Sequence, residues 1–410
     1  MIETKKFSVS NVSRIVAGIA AIMMLILAPV AAQGREAKVL SGLEGSTSSL
    51  QDSRSKALRA MLKGFTERAE VPGAAMLLAQ HGRVVFLEGY GWADVETKKP
   101  FTVDNMVLIA SVTKPLSATC VMIMAEEGKV SLDDKVSKYL PAFGRLKVNK
   151  TDVEAPSPTI RQLLSHTSGL FGLVGATKTG MRAVRDLSLS MTESVEIIGK
   201  EKLVATPGSR FNYGGANYQV AARIVEIVSG QPFDIYMKQR LLDPLGMGET
   251  YFKPGPGQAT TRVATIYKAH PKKGLIPIRL YAPDPNRRLV LASGGLYTSV
   301  QDLAIFLQMH LNQGAYGSSR MLSPAAVAEM QKKQTGADQT EYGFGWFRDR
   351  VTKDGEALCI KHPGLFGAWI WIDKDMDLVG VFLTSSLWRG RNALHKELHE
   401  KVLELFPAGN

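Results

Sequence analysis

The chain has 410 residues, a formal net charge of +12 and 45% hydrophobic residues, with only two cysteines. This is the composition of an ordinary globular protein of one or two domains, and neither a repeat nor a low-complexity tract interrupts it. The basic residues are scattered and accompany no nucleic-acid motif, so excess charge reads as ordinary solubility and nucleic acid is not an expected partner.

In chain order, Lys5, Lys6 and Arg14 precede an uncharged apolar stretch, Ile15 to Val30, that ends Val30-Ala31-Ala32 before Gln33. The pattern predicts a secretory signal at residues 1–32, cleaved after Ala32, and hence a periplasmic or secreted protein. The stretch is shorter than the ~20 residues of a membrane span, so a retained anchor is the lesser reading and no stable span is expected after cleavage. Removing three basic residues and Glu3 lowers the charge from +12 to +10. Residues 33–53, rich in Gly, Ser and Thr, read as a flexible lead-in to a first helix near Ser55 to Arg68. Ala74 to Gln80 and Arg83 to Gly91 are β-prone runs on either side of His81-Gly82, a two-residue hairpin. Ala118 to Ala125 carries no charge and predicts a buried helix stopped at Gly128. From Lys129 to Arg288 the pattern is mostly helix and loop, clearest at Ile160 to Leu164, Met191 to Lys200, Tyr218 to Val228 and Phe233 to Leu242. Phe344 to Asp349, Ala357 to Lys361, Ala368 to Ile372 and Leu378 to Thr384 supply further strands. A final helix, Arg391 to Leu405, places Leu394, Leu398, Val402 and Leu405 at helical spacing.

These elements predict an α/β protein of the α+β type. An antiparallel sheet flanked by helices is built from 54–128 and 289–410, a mainly helical subdomain, 129–288, is inserted, and the site lies in the groove between. Cys120 falls in the apolar helix and Cys359 in a strand; an oxidising compartment permits their pairing, but buried free thiols are the preferred reading.

Three separated motifs carry chemistry. In Ser111-Val112-Thr113-Lys114, at the mouth of the buried helix, spacing by three puts serine and lysine on one face, so the amine can reach the hydroxyl. An amine kept neutral by burial and by the positive end of the helix dipole can accept the serine proton. Pro115 sits in the first turn, where a missing N–H forfeits little. Alone, S-x-x-K is as well explained by an N-cap serine and a solvated lysine. Phe211-Asn212-Tyr213-Gly214-Gly215 and His362-Pro363-Gly364 follow in order.

Together these motifs resemble the serine β-lactamase and penicillin-binding-protein-like superfamily, in its class C-like branch, which includes family VIII-type esterases, D-amino-acid peptidases and DD-carboxypeptidases. Leu163-Leu164-Ser165-His166-Thr167-Ser168-Gly169-Leu170, Pro244-Leu245-Gly246-Met247, Ala292-Ser293-Gly294-Gly295-Leu296 and Tyr342-Gly343-Phe344-Gly345-Trp346 extend the resemblance over most of the mature chain. It implies the same architecture, Ser111 as nucleophile, Lys114 as its activator, Tyr213 as proton shuttle, and His362 in the groove beside Tyr213 or substrate. It also implies an oxyanion site formed by the backbone amides of Ser111 and Leu365, with Gly364 letting the strand approach substrate. Two departures bear on substrate. The second motif commonly ends in asparagine, which holds a substrate amide; here Gly215 stands there, with Asn217 as its nearest replacement. The third motif of β-lactamases begins with lysine; here it is His362, a weaker grip for a carboxylate.

The reading that follows is an exported serine hydrolase for esters or small amides, without metal or cofactor, acting on a small molecule or a cell-wall-derived substrate. The alternatives are a β-lactamase or DD-peptidase/D-aminopeptidase, and a non-catalytic cell-wall ligand-binding protein. His166, flanked by Ser165 and Ser168, is a rival base, but no G-x-S-x-G elbow exists and it is expected to brace the groove. His395 and His399, four apart, suit zinc, but without a third ligand they read as a solvated helix face.

Overall fold

Alternation along one strand sets the layers. In β1, Gly73–Gln80, the side chains of Ala75, Leu77 and Ala79 enter one hydrophobic cluster, while Ala74, Met76 and Leu78 enter another on the opposite face. A strand buried on both faces needs helices above and below it. The computed structural model describes residues 37–43, 52–68, 70–149, 151–255, 258, 260–270, 272–387 and 390–407. The expected signal at 1–32, and most of the lead-in, lie outside them.

β1 runs through His81 and Gly82, both at positive φ, into β2, Arg83–Asp94, as a two-residue hairpin requires. Then come β3, Lys99–Pro100, β4, Phe347–Val351, β5, Ala357–Pro363, β6, Trp369–Asp373, and β7, Leu378–Thr384. The sheet order is β4-β5-β6-β7-β1-β2-β3, and the pairings are antiparallel. β7 pairs with β1 from Ala74↔Thr384 to Gln80↔Leu378, joining the two ends of the chain in one sheet.

Helix α1, Ser53–Glu67, starts where the Asp52 side chain accepts from the Ser55 amide. The remaining helices that frame the site are α2, Thr113–Glu126, α3, Gly215–Ser229, α4, Val300–Leu311, and α5, Arg391–Leu405. Leu58, Leu62 and Phe65 of α1 and Leu394, Leu398 and Val402 of α5 pack with Trp369, Trp371 and Phe382 over one face. On the other face α4 lies against the sheet, and α3 packs on α2. From Thr113 to Met124 every residue of α2 is buried. That explains its uncharged run from Pro115 to Ala125, since a helix without a wet side has no place for a solvated charge.

The α+β architecture agrees with the sequence reading, and three details differ. Ile266–His270 and Gly274–Ile278 form a hairpin inside the expected helical region, completed by parallel pairing with Ser386–Leu387 beyond β7. The partner strand is over a hundred residues away, so local periodicity carried no sign of it. The core is continuous from α2 through Phe143, Leu163 and Val195 of the insertion to Ile370 and Val381 of the sheet, and residues from Lys38 onward form one unit. Residues 38–43 are also less loose than expected: Leu40 is buried, and Ser41 donates to the Gly82 carbonyl at 3.0 Å. Cys120 and Cys359 are free buried thiols in separate clusters on opposite faces of the sheet. Among the described residues no helix is long and apolar enough to cross a membrane.

Candidate active site

Ser111 sits in a 3-10 turn, Ala110–Val112, that feeds α2. Ala110, immediately before it, has φ +46°, a left-handed conformation that strains any residue bearing a Cβ. The turn is pinned from outside, because the Ile109 amide donates to the Leu296 carbonyl at 3.0 Å. One turn along, Lys114 Nζ lies 3.0 Å from Ser111 Oγ and donates to the Ser293 carbonyl at 2.8 Å. The lysine is 2% exposed, and no carboxylate pairs with it among the described residues. Burial lowers its pKa from 10.5 to about 7, so a large fraction of the amine is neutral at physiological pH. With one N–H committed to Ser293, a neutral amine has a lone pair free to accept the serine proton.

Tyr213 ends the loop before α3. Burial pushes its phenol well above the ordinary value, and the nearby Ser111 side chain offsets only part of that rise. Lys114 Nζ stands 4.6 Å above the ring centroid, over the π face and not in line with the hydroxyl. Burial therefore keeps the phenol neutral. His362 Nε2 lies 3.5 Å from the Tyr213 hydroxyl and 3.4 Å from that of Tyr342. Its Nδ1 is 2.9 Å from the Pro363 carbonyl, which fixes the proton on Nδ1 and leaves Nε2 to accept. His362 is fully buried; burial first, and then Lys114, hold its pKa far below the ordinary value. It meets Tyr213, one of the two partners expected for it, but it is not among the residues that line the groove, which corrects its placement there.

His166 has the bracing position. Buried and at φ +59°, it accepts the Asn212 amide on its carbonyl at 2.8 Å. Its Nδ1 faces the Gly214 amide at 3.4 Å and Asn217 Nδ2 at 3.2 Å, with no carboxylate partner among the described residues, so it lacks the geometry of a Ser-His-Asp triad. Asn217 corrects a second expectation. It lies inside α3, fully buried, with Oδ1 accepting from Ser168 Oγ at 2.5 Å, because two residues of helix beyond Gly215 turn the side chain away from the groove. Gly215 does line the cavity, and a Cβ there would stand 3.0 Å from Ser293 Oγ.

The third motif ends β5. A Cβ on Gly364 would lie 2.4 Å from the Ile109 carbonyl oxygen, so only glycine lets this strand end close on the turn that carries Ser111. Ser111, Lys114, Tyr213, Gly215, Gly364 and Leu365 thereby line one cavity of about 630 Å³. Sequence reasoning missed Ala110, the Ser293 carbonyl and Tyr342. The Ala292-Ser293-Gly294-Gly295-Leu296 and Tyr342-Gly343-Phe344-Gly345-Trp346 blocks were the available signal, but every residue has a carbonyl and none announces which one a lysine will find.

A second cleft, of about 710 Å³, opens beside α5 and contains none of the motif side chains except Pro363; volume does not make it the reactive site. His395 and His399 line it, and both are buried, correcting the solvated-face reading. His395 Nε2 meets the Gly367 carbonyl at 3.0 Å, and His399 Nε2 meets Asp373 at 3.0 Å. Asp349, Cys359 and His399 bring donor atoms within 4.8 Å of one another. Lys361 already pairs with Asp349, Arg350 with Asp373, and burial raises the Cys359 thiol pKa. The cluster is thus neutralised by its own neighbours.

The chain matches the Beta-lactamase family model over residues 58–402, and it belongs to that family. With that membership the protein is a hydrolase of the serine β-lactamase superfamily. Protein Rv1367c of Mycobacterium tuberculosis is 25% identical over 356 residues, covering 79% of this chain and 88% of that protein. Among solved structures, EstCE1, a hydrolase with promiscuous acyltransferase activity, aligns with TM-score 0.73 and 24% identity over 85% of this chain and 98% of its own. Simvastatin synthase (LovD) from Aspergillus terreus aligns with TM-score 0.72 and 18% identity over 87% of this chain and 100% of its own. At these identities the structural likeness is one of fold.

Proposed function

We propose that this protein is an exported serine hydrolase that cleaves esters, or small amides, through an acyl-enzyme on Ser111. The observation that carries the reading is the buried Lys114 amine, with a pKa near 7, 3.0 Å from Ser111 Oγ at the base of the cavity. Ser111 Oγ attacks the carbonyl carbon and its proton passes to Lys114 Nζ. The oxyanion is received by the amides of Ser111 and Leu365, drawn together by the close approach at Gly364. Collapse expels the alcohol or amine, which takes its proton through Tyr213. Water then attacks the acyl carbon, its proton passing by way of Tyr213 toward Lys114, and collapse breaks the bond to Ser111 Oγ, which takes a proton back from Lys114 as the acid leaves. Tyr342 and His362 position Tyr213 from behind.

Esters are favoured over β-lactams because the cavity has no side-chain amide at the end of the second motif. Gly215 stands there with Ser293 against it, and Asn217 is occupied by Ser168 and His166. The walls are largely apolar, including Phe171, Leu173, Val184, Leu291 and Phe366, which suits an acyl chain. Export rests on Lys5, Lys6, Arg14 and the apolar stretch from Ile15 to Val30. The test is turnover of a short-chain p-nitrophenyl ester beside a chromogenic cephalosporin, with Ser111→Ala as control. Ester cleavage abolished by Ser111→Ala, with little cephalosporin opening, is expected. Preference for the cephalosporin would move the assignment to β-lactamase or peptidase, and a fluorophosphonate probe that leaves the folded protein unlabelled would end any enzymatic reading.

A further inference from the structure

The catalytic cavity has two walls of different make. One belongs to Tyr213, the proton donor to the leaving group, whose ring packs with those of Phe347 and His362. The other is apolar and flanks the oxyanion amides. Leu108 and Ala110, before Ser111, and Phe366, after Leu365, share a cluster with Ile266 and Tyr297, against which Val263, Ile278 and Tyr281 pack. Ile266 and Ile278 face each other across the hairpin, and they line a second void of about 280 Å³. Leu108 and Tyr281 line this void and the catalytic cavity alike, so the two share a wall of two side chains. The Tyr297 hydroxyl donates to the Tyr281 carbonyl, which pins the backbone there. The Tyr281 ring is held more loosely: it packs on Phe366 with 5.5 Å between centroids, and its hydroxyl makes no hydrogen bond among the described residues.

We propose that the void beside the hairpin receives the far end of a medium-length alkyl chain on the acyl group, which leaves Ser111 along Leu108 and Phe366 and passes Tyr281. The proposal rests on the hydrolase reading and deepens it, naming esters of unbranched, medium-chain fatty acids as the substrate class. A leaving group protonated by Tyr213 lies toward Tyr213 and Phe347, so the acyl chain is left the wall of Leu108, Phe366 and Tyr281. A rotamer change of the Tyr281 ring breaks no polar contact, and so joins the two voids at little cost. The lining suits a hydrocarbon: Arg279, its charged member, is largely exposed and pairs with Glu96 at 3.1 Å. The volume falls below the ~300–1,000 Å³ of an independent small-molecule site, yet it admits the end of an alkyl chain. Each methylene that enters leaves water for an apolar surface, so affinity should climb with chain length until the void is full.

The experiment measures kcat/KM for 4-nitrophenyl butyrate, hexanoate, octanoate and decanoate, each below its solubility limit. From butyrate to octanoate a rise of up to about fourfold per methylene is expected, and at least about tenfold in all. Val263→Trp and Ile278→Trp, made separately, fill the void from two segments that do not line the catalytic cavity. In whichever keeps the parent's thermal midpoint, the octanoate-to-butyrate ratio should fall to about one. Val263→Ala enlarges the void instead and should raise the decanoate-to-octanoate ratio by about threefold or more; it decides the matter if both tryptophan variants fail to fold. An octanoate-to-butyrate ratio near one in the parent overturns the proposal and leaves the hydrolase reading intact. So does a preference for octanoate that survives a folded tryptophan variant, or a decanoate-to-octanoate ratio unmoved by Val263→Ala. If no ester is turned over in a Ser111-dependent way, the hydrolase reading falls and this inference falls with it.

Discussion

Lys114 is where the structure makes its most quantitative demand. If the neutral amine is the base, kcat/KM for an ester should rise tenfold per pH unit below about 7 and level off above it. At pH 5 only about 1% of the amine is neutral, so activity there should be about a hundredfold below the plateau. The same group acts on stability with a definite sign. The unfolded lysine keeps its proton to about pH 10.5, whereas the folded one releases it near 7. Between those values the unfolded state binds more protons, so stability rises with pH across the window, and the burden of the buried charge is fully present below pH 7. The fall from 10.5 to about 7 corresponds to a burden on the order of 5 kcal/mol. Lys114→Met removes it but leaves the Ser293 carbonyl without its donor, a loss of about 1–3 kcal/mol. The variant should therefore be inactive, roughly 10²–10⁴-fold down, yet more stable than the parent by about 2–4 kcal/mol at pH 6, with the difference closing toward pH 10. Lys114→Arg, which cannot deprotonate, should be inactive at every pH. The assays are a kcat/KM profile from pH 5 to 9 and urea denaturation at pH 6 and 10. A flat profile over that range, or a Lys114→Met protein less stable than the parent at pH 6, would refute the reasoning.

Other consequences can be measured independently. Gly364→Ala brings a methyl group to 2.4 Å from the Ile109 carbonyl, so the strand end must retreat from the Ser111 turn; kcat should fall about 10²–10³-fold, as when one oxyanion donor is lost, and an undiminished kcat would remove Leu365 from that role. Asn217→Ala strips partners from Ser168 and His166 in a buried site and should lower stability by about 1–3 kcal/mol in urea titrations; an unchanged midpoint with a raised KM would instead mark Asn217 as a substrate contact. Native protein should leave Cys120 and Cys359 unmodified by a disulfide reagent, because burial raises both thiol pKa values, and should show two reactive thiols in guanidinium; fast native labelling would contradict the core packing.

Local chemistry was sufficient for a good part of this protein. The uncharged run from Ala118 to Ala125 announced a helix buried on all sides, His81-Gly82 announced a hairpin, and spacing by three placed Lys114 over Ser111, because each depends on residues within a turn or a pair of strands. The order of the three motifs also pointed to a single groove. What the sequence left undetermined was where long-range packing aims a side chain. Asn217 and His362 have residue types suited to substrate, yet α3 turns one toward Ser168 and the tyrosines seal the other. His395 and His399 have the spacing of a polar helix face, yet Trp369, Gly367 and Asp373, from strands and loops that no helical period can foresee, bury them. The pairing of Ser386–Leu387 with Ile266–His270 is of the same kind. Periodicity fixes which faces are apolar over a few residues, whereas the direction of a buried polar group is settled by whichever distant donor or acceptor the closed fold sets beside it.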